Sequence, residues 1–176
     1  MDLQRAQAFL DLPAVVEEAV SDYNRIFGRS YSPFVEEFMT DGAEIVFFIQ
    51  GGHAATARHA VRHLRERGVK AGLVKLRFVR PFTSRQVAES LSKFKAVGVI
   101  DRDFAHGSPD DGGIVLHEIR SCLYPLRQRP AVVNFICGLG GRDISIGECQ
   151  EMFATTQRAA TDDKLDGFVS WIGVRE

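Results

Sequence analysis

The chain has 176 residues, 45% of them hydrophobic and 26% charged, which reads as one globular domain rather than a disordered or fibrous chain. Its 22 Lys and Arg against 23 Asp and Glu give no support for a nucleic-acid or membrane-surface partner. No apolar run approaches the ~20 residues of a membrane span. The three cysteines, Cys122, Cys137 and Cys149, lack the close spacing of zinc or iron–sulfur ligands. They read as reduced thiols of a cytoplasmic protein without a secretory leader.

Residues 1–40 are expected to form a helical arm. Asp11-Leu12-Pro13 reads as a helix start, since Pro suits the first turn. Val16, Val20, Tyr23 and Phe27 follow on one face, and Gly28 closes the helix. Phe34, Val35 and Phe38 predict a short amphipathic stretch. An α/β domain is expected over 41–176. Its first strand is the apolar run at 44–49, of the kind buried on both faces of a parallel sheet. A helix carrying Ala54, Ala57, Val61 and Leu64 comes next, then a strand at 73–78 stopped by Pro81. Thr83 and Gln86 have the spacing of a capping box before Val87 and Leu91. A strand at 96–100 ends at Asp101-Arg102-Asp103. After a loop rich in Gly and Asp come a helix from Ile114 to Leu123, a strand at 131–136, the loop Gly138-Leu139-Gly140-Gly141 and a last helix at 146–158. The tail at 162–176, acidic and then apolar around Phe168 to Ile172, reads as an edge strand or a docking segment. Alternating strands and helices predict a three-layer α/β fold with a mainly parallel sheet and right-handed crossovers. The loops at the strands' carboxyl ends are then the functional edge.

The constellations on that edge carry two readings each. Gly138-x-Gly140-Gly141 lies between a strand and a helix, as a phosphate-cradling loop does, but Asp143 stands where a dinucleotide fingerprint has its third Gly. A tight turn is the plainer reading. His59 and His63 share a helical face and could hold two corners of a zinc site, or simply be solvated. Asp101, Asp103, Asp110 and Asp111 could gather a divalent cation or form turns. Residues 58–80 hold eight basic residues and one acid, while residues 1–44 hold nine acids and three bases. Pairing between these two segments is the preferred account. No Gly-x-Ser-x-Gly elbow and no activated cysteine appears. By chemistry alone there is no catalytic constellation.

Several ordered segments resemble the 2-oxoacid:ferredoxin oxidoreductases, the pyruvate enzymes in particular. They are Gly68-Val69-Lys70-Ala71-Gly72-Leu73-Val74-Lys75-Leu76-Arg77-Phe78-Val79-Arg80-Pro81-Phe82, then Lys95-Ala96-Val97-Gly98-Val99-Ile100-Asp101-Arg102, then Gly112-Gly113 with Glu118, then Asn134-Phe135-Ile136-Cys137-Gly138-Leu139-Gly140-Gly141-Arg142-Asp143-Ile144. Phe27-Gly28-Arg29 with Tyr31, and Glu44-Ile45-Val46, match the family's linker and first strand, so the likeness runs over about residues 23–158. It implies domain II of the α portion, a fold similar to the C-terminal domain of transketolases.

The family decarboxylates a 2-oxoacid on thiamine diphosphate and magnesium. It passes electrons through iron–sulfur clusters to ferredoxin and the acyl group to coenzyme A. This sequence has no Gly-Asp-Gly with a downstream Asn and no Cys-x-x-Cys, and the resemblance implies that the cofactor-activating glutamate lies on a domain outside it. The resemblance therefore implies a noncatalytic subunit or excised domain of a hetero-oligomeric, pyruvate-type complex, with no catalytic, cofactor or metal residue on this chain and no activity alone. The interface candidates are Arg77, Arg80, Pro81, Phe82, Asp101, Arg102, Gly140, Gly141, Arg142 and Asp143, since glycines permit close approach and arginines pair with carboxylates. The alternative is a stand-alone nucleotide-binding, phosphate-binding or scaffold domain.

Overall fold

Four apolar runs in the sequence become four parallel strands in the computed structural model, which describes residues 2–162 and 168–174. They are β2 (Ile45–Gln50), β3 (Ala71–Leu76), β4 (Ala96–Asp101) and β5 (Ala131–Ile136). Two edge strands complete the sheet. β1 (Val35–Phe38) runs antiparallel to β3, and β6 (Val169–Trp171) runs parallel to β5, giving the order β1-β3-β2-β4-β5-β6. The helices are α1 (Asp2–Phe27), α2 (Ala54–Glu66), α3 (Ser84–Leu91), α4 (Ile114–Leu123) and α5 (Ile146–Ala159).

Side chains alternate across the sheet, so each strand feeds two cores. Phe47, Ile49, Leu73, Ile100 and Phe135 face α2 and α5. Val46, Phe48, Val74, Val97 and Val99 face α3 and α4. This is the expected three-layer arrangement, and burial on both faces explains why the strands read as continuous apolar runs. Gly98 lets α5 lie close to the sheet: a Cβ there would sit 2.5 Å from the Thr156 hydroxyl.

Not every crossover shares one hand. β3–α3–β4 and β4–α4–β5 advance along the sheet over one face, and β2–α2–β3 goes back over the other, so these three agree. β5–α5–β6 advances over the α2 face and has the opposite hand. Packing sets this exception. Val133, Phe135 and Cys137 on that face would be bare without α5.

Three local expectations are corrected. The first helix begins at Asp2 and carries Pro13 inside it, because residues 3–8 are mostly strong helix formers and sustain the turn before the proline. The segment 35–38 is a strand, since the outer edge of β3 offers it a ladder: Glu36 lies opposite Lys75 and Phe38 opposite Leu73. The sheet thus begins within the segment read as the arm. Thr83 precedes α3 but makes no side-chain cap; Gln86 turns outward to Glu17 on α1 at 3.3 Å. The genuine capping box is Ser145 with Glu148, at the start of α5.

Candidate functional site

The carboxyl ends of β2 to β5 share one edge of the sheet. Between β2 and β4 the chain order reverses, which in open α/β sheets marks the crevice where ligands bind. His53 from the β2 loop and Arg102 from the β4 loop flank that point. Both meet the β5 loop at Gly138, where a Cβ would stand 2.6 Å from His53 Nε2 and 3.2 Å from Arg102 Nε. The Arg102 guanidinium donates to the Gly138 carbonyl at 3.3 Å. Burial, then the charge of Arg102, lowers the His53 pKa, and Asp143 opposes them. His53 is thus neutral at pH 7, and its Nε2 is buried against the loop with no partner.

Asp101 is fully buried, so it is not the interface residue the sequence reading proposed. Its carboxylate accepts the N–H groups of Val115 and Leu116, each at 3.2 Å, and Asn134 Nδ2 at 2.9 Å. Asn134 also accepts the N–H of Gly113 at 3.0 Å and donates to the Val99 carbonyl at 3.0 Å. Asp103 accepts the N–H of Ile114 at 2.8 Å. The unpaired amides that open a helix are here all consumed by side chains from β4, its loop and β5. Burial, reinforced by the charge of Asp103, pushes the Asp101 carboxyl up to about 6 despite these hydrogen bonds.

The other aspartates do not converge on a cation. Asp110 pairs with Arg120 at 3.0 Å, and Asp111 accepts the N–H of Gly107 at 3.3 Å. Among the described residues, no three His, Cys, Asp or Glu side chains are placed to hold a metal ion. His59 and His63 stand Nε2 to Nε2 at 3.2 Å on the exposed face of α2. Burial pushes the thiols of Cys137 up to about 12 and of Cys122 and Cys149 up to about 11, so all three are protonated at neutral pH. These residues do not fit thiamine diphosphate with its magnesium or an iron–sulfur cluster.

The glycine loop is a single 3-10 turn with Gly138 and Gly140 left-handed. It does not open α5. The start of that helix lies at Ser145, where Glu148 accepts the Ser145 N–H at 2.7 Å and Ser145 accepts the Glu148 N–H at 3.1 Å. The helix's own carboxylate sits where a phosphate would. Gly140, Gly141, Arg142 and Asp143 are exposed, and Arg142 donates to the Gly173 carbonyl. At the end of β3, Arg77 donates to Glu36 at 2.9 Å and Arg80 pairs with Glu118. Pro81 is buried after a cis bond, and Phe82 packs on the α3 and α4 core. The basic and acidic segments do pair within the chain: Glu36 with Arg58 and Arg77, Glu44 with Lys70.

Residue reading missed the exposure of α1. None of its residues is buried; Leu3 is 88% exposed, Leu10 73% and Ile26 64%. Apolar residues lie all round this helix, and that scatter was the available signal.

The sheet order and the two helical layers define the class first: a three-layer α/β domain with a mainly parallel six-stranded sheet, a fold shared with transketolase-like proteins. A split-gene transketolase, solved as an inactive β4 tetramer, is similar at TM-score 0.51 and 19% identity, over 76% of this chain and 43% of that one. A 2-oxoglutarate:ferredoxin oxidoreductase from Magnetococcus marinus is similar at TM-score 0.50 and 14% identity, over 78% and 21%. The chain belongs to the pyruvate:ferredoxin oxidoreductase core domain II family, which matches residues 43–149. Ketoisovalerate oxidoreductase subunit VorA of Pyrococcus abyssi is 32% identical over 94% of this chain and 41% of its own length. Pyruvate synthase subunit PorA of the same organism is 33% identical over 92% and 40%. The chain spans about two fifths of the length of these curated relatives.

Proposed function

We propose that this chain is a noncatalytic part of a 2-oxoacid:ferredoxin oxidoreductase, supporting an assembly whose active sites lie on other polypeptide segments. One observation carries the reading: a 26-residue helix with no buried side chain, bearing Leu3, Leu10 and Ile26 in the open. Such a surface calls for a protein partner. Relatives with more than twice this length supply the kind of partner, namely the remaining segments of the same enzyme. The internal role of Asp101 supports the same reading, because the most perturbed acid of the strand edge holds α4 rather than facing substrate. Thiamine diphosphate, magnesium, iron–sulfur clusters, coenzyme A and the contact with ferredoxin then belong to the complex, which works in the cytoplasm.

Pyruvate is the proposed substrate. A branched 2-oxoacid is the second reading, favoured by the nearly equal identity to VorA. A stand-alone phosphate-binding role is disfavoured by the Glu148 carboxylate at the start of α5. The test is affinity purification of the chain from its own cells, followed by coenzyme-A-dependent viologen reduction with pyruvate, 2-oxoisovalerate and 2-oxoglutarate. Activity with pyruvate above the other two is expected. Recovery without thiamine- or cluster-bearing chains overturns the proposal.

A further inference from the structure

A cavity of about 370 Å³ lies at the carboxyl ends of β2 and β3, between the sheet and the end of α1. Its size and place suit a small ligand. Tyr23, Tyr31, Gly51, Lys75, Arg77 and Phe78 line it. It adjoins a hollow of about 470 Å³ that shares Tyr31 and Arg77.

The charges around it do not balance. Glu36 lies directly opposite Lys75 in the β1–β3 ladder, yet its two oxygens are taken, one by Arg58 and one by Arg77. Three cations thus meet one carboxylate. Lys75, half-buried, has no ion-pair or hydrogen-bond partner among the described residues. Arg77 has its Nε buried without a partner, and its guanidinium stands 5.1 Å from the Tyr31 ring. A half-buried ammonium beside an unmatched guanidine N–H favours an anionic oxygen group. The aromatic wall is as underused as the charge: Tyr23 and Tyr31 are each 45% exposed and Phe78 is 38% exposed. Flat apolar rings with solvent on one face favour a flat apolar body.

We propose that this cavity is a binding site for a small molecule that joins a carboxylate or phosphate to a planar ring, with Lys75 and Arg77 holding the anion and Tyr23, Tyr31 and Phe78 holding the ring. The cavity takes Tyr23 from α1, the helix whose exposed apolar residues carry the assembly role proposed above, and its ligand is tested on the chain alone.

The test is amide chemical-shift titration of the full 176-residue chain with phenyl phosphate, benzoate and inorganic phosphate. Phenyl phosphate or benzoate is expected to shift the amides of Tyr31, Gly51, Lys75 and Arg77 in a saturable way. Lys75→Met should weaken that binding about tenfold, the size of one charge-assisted hydrogen bond, while Lys75→Arg keeps most of it. Inorganic phosphate should bind more weakly than phenyl phosphate, because it leaves the rings uncovered. The two organic probes distinguish a carboxylate ligand from a phosphate ester. Shifts that spread over the surface without saturating, or an affinity that Lys75→Met leaves unchanged in a variant with a native spectrum, overturn the proposal.

Discussion

Replacing Gly113 with alanine strikes the junction that ties the strand edge to α4. A Cβ at this position would lie 2.1 Å from Asp101 Oδ2 and 2.2 Å from its Cγ, where ordinary contact begins at 3.4 Å. The missing distance has to come from moving the buried Asp101 carboxylate or the first turn of α4. The overlap costs about 1–3 kcal/mol, as overpacking of a filled interior does. Displacing the carboxylate also weakens its bonds to Val115 and Leu116, each worth about 1.5–3 kcal/mol as a hydrogen bond to a charged group. Partial relaxation of both leaves a net loss of about 3–5 kcal/mol, a large share of the ~5–15 kcal/mol available to a domain. Urea unfolding followed by circular dichroism measures it. The control is Gly147→Ala in α5, where the nearest atom to the new Cβ is 3.9 Å away and helix propensity favours alanine by about 1 kcal/mol. A Gly113→Ala variant within about 1 kcal/mol of the parent would refute the junction as described.

Other outcomes follow from the same structure. The Asp101 carboxyl sits at about 6 in the fold against an ordinary 3.8, so between these values the folded chain binds a proton that the unfolded chain lacks. Stability therefore rises as pH falls from 6 toward 4 and is lost as pH rises through 6, by about 3 kcal/mol. Chemical denaturation across this window reads the slope; an unchanged slope in Asp101→Asn would contradict it. Glu44 acts in the opposite sense. Its pairs with Lys70 and Lys95 hold it at about 2, so its contribution fades only as pH falls below about 4.5. Deleting residues 1–27 should leave the unfolding free energy within about 1 kcal/mol of the parent, because α1 buries no side chain. The same deletion should abolish copurification with other chains, and retained copurification would place the interface elsewhere. Gly98→Ala should cost about 1–3 kcal/mol by forcing Thr156 and α5 off the sheet, and a neutral result in the same urea assay would contradict that close approach.

The layers of the fold were legible because burial on both faces writes itself as uninterrupted apolar strands, as in Val46-Phe47-Phe48-Ile49, and because α2 keeps Ala54, Ala57, Val61 and Leu64 on its buried side. Edge strands were harder. Val35–Phe38 has half its side chains on charged partners, so its pattern resembles an amphipathic helix, and only the free edge of β3 makes it a strand. The left-out signals at the strand edge were positional. Asp101 looked available because it closes a strand, yet whether such an acid faces solvent depends on Asn134 and Gly113, 33 and 12 residues further on, which no local pattern connects. The Thr83 spacing satisfied the rule for a capping box and still did not form one, while Ser145 and Glu148, with the same spacing, did. In the sequence Lys75 is one of eight basic residues at 58–80, placed with Arg77 and Arg80 on or beside a strand as a possible interface residue. Its lack of a partner appears once Glu36 is seen to be shared by two arginines.

The most direct test of the central claim is the native mass of the chain after gentle affinity purification from its own cells. The account predicts one dominant species far above the 19.6 kDa of the chain, with thiamine- and cluster-bearing polypeptides in fixed ratio to it. A species at the mass of one chain, or of copies of this chain alone, would contradict it.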